Sequence, residues 1–122
     1  LLKRRREIIE AYDRAFQDLP VMLLDHYTEH STSSGHLYLV RLNGKSREEC
    51  NEAIEKLAAK GIASNVHYKP LPMLTAYKNL GFRIEDYPNA YRQFENEITL
   101  PLHTKLTDEE IVYVTEAFRN VF

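Results

Sequence analysis

Helix-period spacing and short runs of strand formers take turns along this chain, and that alternation most narrows the folds open to it. In residues 2–19 the apolar positions Ile8, Ile9, Tyr12, Ala15, Phe16 and Leu19 recur at helical steps, which predicts a helix with one buried face, ended by Pro20. The polar cluster at 29–35 reads as a loop, and residues 36–42, rich in strand formers, give the clearest strand. Asn43 and Gly44 turn the chain, and Ser46 with Glu49 forms a capping box that opens a helix ending at Gly61. Ala53, Ile54, Leu57 and Ala58 are its expected inner face. Residues 62–68 read as a second strand, followed by a proline-rich loop, a short helix near 74–80 and Gly81 as its stop. Pro88 starts another helix with Ala90, Tyr91 and Phe94 on its core side, and residues 98–100 suit a short edge strand. Thr107 and Glu110 repeat the capping box ahead of Ile111, Val114, Ala117, Phe118 and Val121. The expected class is α+β, a small antiparallel or mixed sheet of about three strands with helices covering one face.

A chain of 122 residues fits one domain and buries roughly two thirds of its unfolded surface without needing staples. With 16 basic against 18 acidic residues the net charge is -2, so the chain has no general attraction to a polyanion, and nucleic acid is not an expected partner. No stretch is long and apolar enough for a bilayer, and no membrane role is expected. The single cysteine, Cys50, excludes an internal disulfide framework and suits a cytoplasmic location. The chain begins at Leu1 with residues 3–16 already helical in pattern, which leads us to expect more protein upstream.

Chemistry by familiar constellations finds little support. Of His26, His30, His36, His67 and His103, only His26 and His30 stand four apart, in a segment read as irregular, so no metal is expected. Cys50 falls inside a helix and reads as packing, not as a nucleophile. A Gly-x-Ser-x-Gly elbow is missing, and the four glycines form no phosphate loop. The run Lys3-Arg4-Arg5-Arg6 spreads around a helix and reads as a solvated face. Tyr77, Tyr87 and Tyr91 read as rings buried up to their hydroxyls. Two segments stand apart because each sets a histidine where a strand-like run meets prolines: residues 61–72, with His67, Tyr68 and Lys69 before Pro70 and Pro72, and residues 100–110, with His103 after Pro101. His36 and His103 are read as structural, partly buried rings satisfied by the backbone.

These segments carry a resemblance. The run Gly61-Ile62, then His67-Tyr68, then Pro70-Leu71 is the most specific part of a pattern similar to the DegT/DnrJ/StrS family of pyridoxal-phosphate sugar aminotransferases, of fold type I. Arg4 to Tyr12 resembles the family helix that enters the C-terminal small domain, and Gly35 to Arg41 resembles that domain's first strand. Tyr77, Pro88 with Ala90, and Leu100-Pro101-Leu102-His103 with Leu106 to Glu110 continue the match in order. One departure stands out, since many members place a second histidine where this chain has Pro72. The polar contact it would make is expected to be lost or taken over by Lys69.

The resemblance implies that residues 1–122 form an aspartate-aminotransferase-like C-terminal small domain, without the large domain that holds pyridoxal 5'-phosphate. It implies transfer of an amino group from glutamate to a nucleotide-linked keto-sugar, in a homodimer whose small domain closes over the active site. No catalytic and no cofactor-binding residue is assigned within the chain; Lys45, Lys69 and Lys105 read as solvated or substrate-facing, because a Schiff-base lysine needs desolvation. His67, Tyr68 and Lys69 are the expected substrate-binding residues, since imidazole and phenol can bond sugar or phosphate oxygens and the prolines restrain the loop. The other reading is a freestanding, non-catalytic α+β module that binds a ligand or a protein. An uncovered apolar face on the helix at 2–19 would favour the first reading, and a clean monomer the second.

Overall fold

The computed structural model describes residues 1–122 and contains five α-helices and three strands. In chain order they are α1 (Leu2–Phe16), β1 (Val21–Leu23), β2 (Tyr38–Leu42), α2 (Arg47–Ala59), α3 (Thr75–Asn79), α4 (Pro88–Glu95), β3 (Glu97–Leu100) and α5 (Asp108–Arg119), with single 3-10 turns at Leu71–Met73 and Ile84–Asp86. The sheet is antiparallel throughout, in the order β1-β2-β3, with Val21 opposite Leu42 and Val40 opposite Ile98. The α+β class is as the periodicity implies.

Alternation along the strands decides which face meets the helices. Tyr38, Val40 and Leu42 of β2 join Ile98 and Leu100 of β3 in the core, while Leu39 and Arg41 stand half-exposed on the opposite face. Ile8, Ile9, Tyr12 and Phe16 give α1 its buried stripe, and Ile111, Val114, Ala117 and Phe118 give α5 its own. Phe16 and Phe118 meet at 4.8 Å between ring centroids, and Tyr12 meets Tyr38 at the same distance. Both phenols are buried and partnered: Tyr12 donates to the Pro101 carbonyl at 2.6 Å and Tyr38 to Asp13 Oδ1 at 2.7 Å. Burial pushes both phenol pKa values well above the ordinary range.

Polar ties hold the helices in place. Arg4 donates to the Leu106 carbonyl at 2.6 Å near the start of α1, and Arg119 reaches back to the Ala15 carbonyl at 2.8 Å and forks onto Asp18 at 2.8 and 2.9 Å. Buried Arg47 donates from one nitrogen to the carbonyls of Phe94 and Glu97, at 2.6 and 3.0 Å, and so ties the start of α2 to the α4–β3 junction. Both capping boxes form as expected: Ser46 and Thr107 each accept from the amide three residues on, and Glu49 and Glu110 each accept from the cap amide. Gly35 is required where it stands, with φ of +67° and a hypothetical Cβ 3.0 Å from Arg5 Cβ.

Several expectations need correction. Residues 62–68 are not a strand; their only ladder contact is an isolated bridge between Asn65 and Thr99. The amides that a strand would spend on a ladder go to side chains instead, Val66 N–H to Asn65 Oδ1 at 2.8 Å and His67 N–H to Glu97 Oε2 at 3.0 Å. The third strand is β1, too short to show a period and defined by its pairing with β2. His36 and His103 are exposed, not partly buried, and so are Ala58 and Ala90. Ala58 lies off the stripe Cys50, Ala53, Leu57 that α2 buries. The apolar side of α1 is covered, so the uncovered face that would have favoured the small-domain reading is not found on this helix.

Thr107→Ala is expected to cost about 1 kcal/mol by loss of the cap, and Phe118→Ala about 3–5 kcal/mol by opening a cavity between α1 and α5. Urea denaturation followed by circular dichroism checks both. A Phe118→Ala cost no larger than that of the cap variant would contradict the core described here.

Candidate functional site

His67 is fixed by strand β3. Asn65 pairs with Thr99 through two backbone hydrogen bonds, Asn65 N–H to Thr99 O at 3.1 Å and Thr99 N–H to Asn65 O at 2.8 Å, which lays residues 65–67 along the free edge of β3. On the sheet face turned away from the core, Glu97 and Thr99 are buried with 4% and 6% of their surface exposed. Thr99 donates its hydroxyl to Glu97 Oε1 at 2.6 Å, and Thr99 Oγ1 lies 2.8 Å from His67 Nδ1. The second carboxylate oxygen, Oε2, accepts the His67 amide. Burial raises the Glu97 pKa, opposed by the Thr99 and His67 hydrogen bonds and by the charges of His67 and Arg47. Backbone and ring of His67 are therefore both anchored, and its Nε2 makes no hydrogen bond within the protein.

Beyond His67 the anchoring stops. The peptide to Tyr68 is cis, and the Tyr68 ring meets the His67 ring edge-on at 4.7 Å while 74% of the residue is exposed. Lys69 is exposed. The three sequence-predicted residues are contiguous in space, one clamped and two presented to solvent. A hollow of about 320 Å³ lies on the uncovered sheet face, where His67 and Glu97 meet Arg41, Leu39 and Met22. Arg41 is held by Asn96 Oδ1 at 3.0 Å and by the Arg92 carbonyl at 3.0 Å. A cation, an imidazole and a buried carboxylate thus line one apolar-floored groove, a suitable lining for a polar ligand with hydroxyls.

Sequence reasoning did not anticipate the character of the segment that follows His67. From residue 63 to residue 93 no side chain is buried, although the segment carries Leu71, Leu74, Leu80 and Phe82. Pro70, Pro72, Tyr77, Phe82 and Tyr87 enclose a second, apolar hollow of about 430 Å³. Tyr77 and Tyr87, read as buried rings, are 37% and 41% exposed on this shelf. The signal was available in the two prolines and the run of leucines without a helical period. His103 is not brought to His67; it borders a different hollow beside Tyr113 and Ile62. Cys50 is fully buried and burial raises its pKa, which fits packing. No helix is long and apolar enough to cross a membrane.

The fold and the groove together define a helix-covered antiparallel domain that clamps one histidine at its sheet edge and carries an apolar shelf in the segment that follows it. The chain belongs to the DegT/DnrJ/EryC1/StrS aminotransferase family, which residues 1–119 match. It superimposes with a TM-score of 0.96 and 59% identity on a Streptococcus pneumoniae protein provisionally assigned as a sugar aminotransferase and solved in its PLP form, covering 99% of this chain and 31% of that one. It is 30% identical over 122 residues to the UDP-4-amino-4,6-dideoxy-N-acetyl-beta-L-altrosamine transaminase of Helicobacter pylori, covering 100% of this chain and 32% of that protein. The spore coat polysaccharide biosynthesis protein SpsC of Bacillus subtilis is 29% identical over 124 residues, covering 98% of this chain and 31% of that one. The chain thus spans about a third of the length of the relatives it matches.

Pyridoxal phosphate requires a lysine shielded from water to hold it. Lys3, Lys56, Lys60, Lys69, Lys78 and Lys105 are exposed, and Lys45 pairs with Glu49 at 3.5 Å across a half-exposed turn. Within these 122 residues, none of the lysines is shielded as that role requires.

Leu71→Asp combined with Leu80→Asp is expected to change folding stability by no more than about 0.5 kcal/mol, because both side chains already face water. The same pair should suppress concentration-dependent self-association of the chain, read by sedimentation velocity. A wild-type chain that stays monomeric at high concentration would show that the shelf is not sticky.

Proposed function

We infer that residues 1–122 are the C-terminal small domain of a pyridoxal-phosphate-dependent aminotransferase that passes an amino group from glutamate to a keto-sugar carried on a nucleotide diphosphate. One observation carries this reading. A chain about a third as long as its relatives matches an aminotransferase family along nearly its whole length, yet its own lysines do not fit the cofactor. On this reading pyridoxal 5'-phosphate sits in the protein's own large domain, against which the apolar shelf packs, and the enzyme works as a cytoplasmic homodimer. The cofactor supplies the electron sink for the transfer. The small domain covers the site and contributes to the substrate pocket.

His67, Tyr68 and Lys69 are the substrate-binding residues of this domain. The clamp on His67 supports the assignment, since a group that orients a substrate must itself be held. The exposure of Tyr68 and Lys69 supports it as well, because neither has a role in this domain's core. Tyr68 can stack on or donate to a sugar, and Lys69 offers a mobile charge to the diphosphate.

His67→Ala in the longer aminotransferase is expected to lower kcat/KM for the nucleotide-sugar about tenfold, the loss of one good hydrogen bond. Unchanged steady-state kinetics in a normally folded variant would remove His67 from the pocket. The 122-residue chain alone, supplied with pyridoxal phosphate, is expected to show no transamination; turnover by it would overturn the domain assignment.

A further inference from the structure

The hydrogen bonds behind His67 have a direction, and the direction decides what the ring can offer a ligand. An ionised carboxylate only accepts, and a threonine hydroxyl has one proton to give. Both oxygens of Glu97 are engaged as acceptors, Oε1 from the Thr99 hydroxyl at 2.6 Å and Oε2 from the His67 amide at 3.0 Å. The Thr99 proton is therefore committed to Glu97. What remains on Thr99 Oγ1 is lone pairs, and His67 Nδ1 lies 2.8 Å away. Two lone pairs facing each other at that distance would repel, so Nδ1 must carry the imidazole proton and donate it to Oγ1. In the neutral ring Nε2 is then the unprotonated nitrogen.

We propose that Glu97 and Thr99 are positioning residues that hold the neutral His67 imidazole with its proton on Nδ1, so that Nε2 presents a lone pair to a hydroxyl of the bound sugar. The sugar part of this statement rests on the substrate-facing role inferred above; the tautomer does not. A lone pair at Nε2 selects for a donor. Sugar hydroxyls are donors, whereas the oxygens of an ionised diphosphate are acceptors and gain nothing from this nitrogen. The assignment narrows the earlier expectation, which allowed His67 either part of the substrate, and leaves the diphosphate to cations such as Lys69. The arrangement is also economical in structure. Thr99 and Glu97 lie two apart on one strand, so strand alternation alone puts both side chains on the face where His67 lies.

The decisive measurement is a long-range proton–nitrogen correlation spectrum of the 122-residue chain with labelled histidine, in mildly alkaline buffer where imidazole is neutral. The expected His67 pattern is a pyridine-type Nε2 and a pyrrole-type Nδ1. Thr99→Ser, which keeps the hydroxyl, should preserve it, and Thr99→Val should shift the ring toward the opposite tautomer. A wild-type ring with its proton on Nε2, or averaged between the two nitrogens, overturns the proposal. If Thr99→Val does not fold, the wild-type and Thr99→Ser spectra still decide. The ligand side is read in the longer aminotransferase by titration with two probes, the amino-sugar nucleotide that names the Helicobacter pylori relative and bare uridine diphosphate. Thr99→Val should weaken the first about tenfold and leave the second unchanged, with Thr99→Ser restoring the first. Equal weakening of both overturns the assignment to a sugar hydroxyl. No weakening of either, with the tautomer as expected, overturns the substrate-facing role of His67 and leaves the tautomer standing.

Discussion

A buried carboxylate on the short strand β3 organises one whole side of this chain. Glu97 lies where water cannot solvate it, and an uncompensated charge there would cost several kcal/mol, so each of its oxygens needs a donor. One donor is the neighbouring Thr99 hydroxyl and the other is the His67 amide. Satisfying Glu97 therefore requires residues 65–67 to lie along β3, and the same demand covers the second face of the strand. All four β3 residues are buried, Ile98 and Leu100 by helices and Glu97 and Thr99 by this loop. Arg47 completes the junction from below through the Phe94 and Glu97 carbonyls.

Helices with a clean apolar stripe and a capping box were legible in the sequence because the information that forms them is local. Ser46 with Glu49 and Thr107 with Glu110 each specify a helix start within four residues, and the structure holds both. Strand β2 was legible for a similar reason: its alternation of Tyr38, Val40 and Leu42 with Leu39 and Arg41 is written in the strand itself. What escaped was what depends on a distant partner. Residues 62–68 have strand-like composition, but their amides are claimed by Asn65 and Glu97 side chains, and Glu97 is thirty positions away in the chain. Strand β1 has three residues and exists because β2 is there to pair with it. The candidate site was legible in part. The prolines flagged the loop holding His67, whereas nothing near His67 in sequence announced Thr99 or Glu97 as its supports. His36 and His103 were misread because apolar neighbours in sequence do not ensure burial at the end of an element.

The uneven distribution of apolar surface bears on how such a chain is used. Residues 2–62 and 94–121 supply every buried side chain, and the excursion between them supplies none. An excursion of that length turns leucines, a phenylalanine and tyrosines outward, and exposed apolar patches of this kind invite association. On the small-domain reading proposed above, this is the face that the rest of the enzyme would complete. Pro72 belongs to this surface. Its ring walls the apolar hollow with Pro70 and Tyr77, so at this position the chain offers packing surface and no polar side chain.

Anchored and exposed residues meet at one peptide bond. His67 is held through its amide and its ring to a strand that is itself buried on both faces, so its position is set with the fold. Tyr68, next in the chain, meets the edge of that imidazole but is largely exposed, and Lys69 is exposed. If His67, Tyr68 and Lys69 bind the substrate as proposed, a ligand would meet one group already oriented and two exposed ones, and ordering a rotamer-rich side chain such as lysine costs about 0.5–1.5 kcal/mol. Discrimination between ligands would then fall to the oriented group, because its hydrogen bond is lost outright when the ligand's geometry is wrong, whereas an exposed lysine can follow a misplaced charge. On that reading, selectivity at this end of the molecule would rest on the His67–Thr99–Glu97 chain of hydrogen bonds, and Tyr68 and Lys69 would add affinity that many related ligands can share.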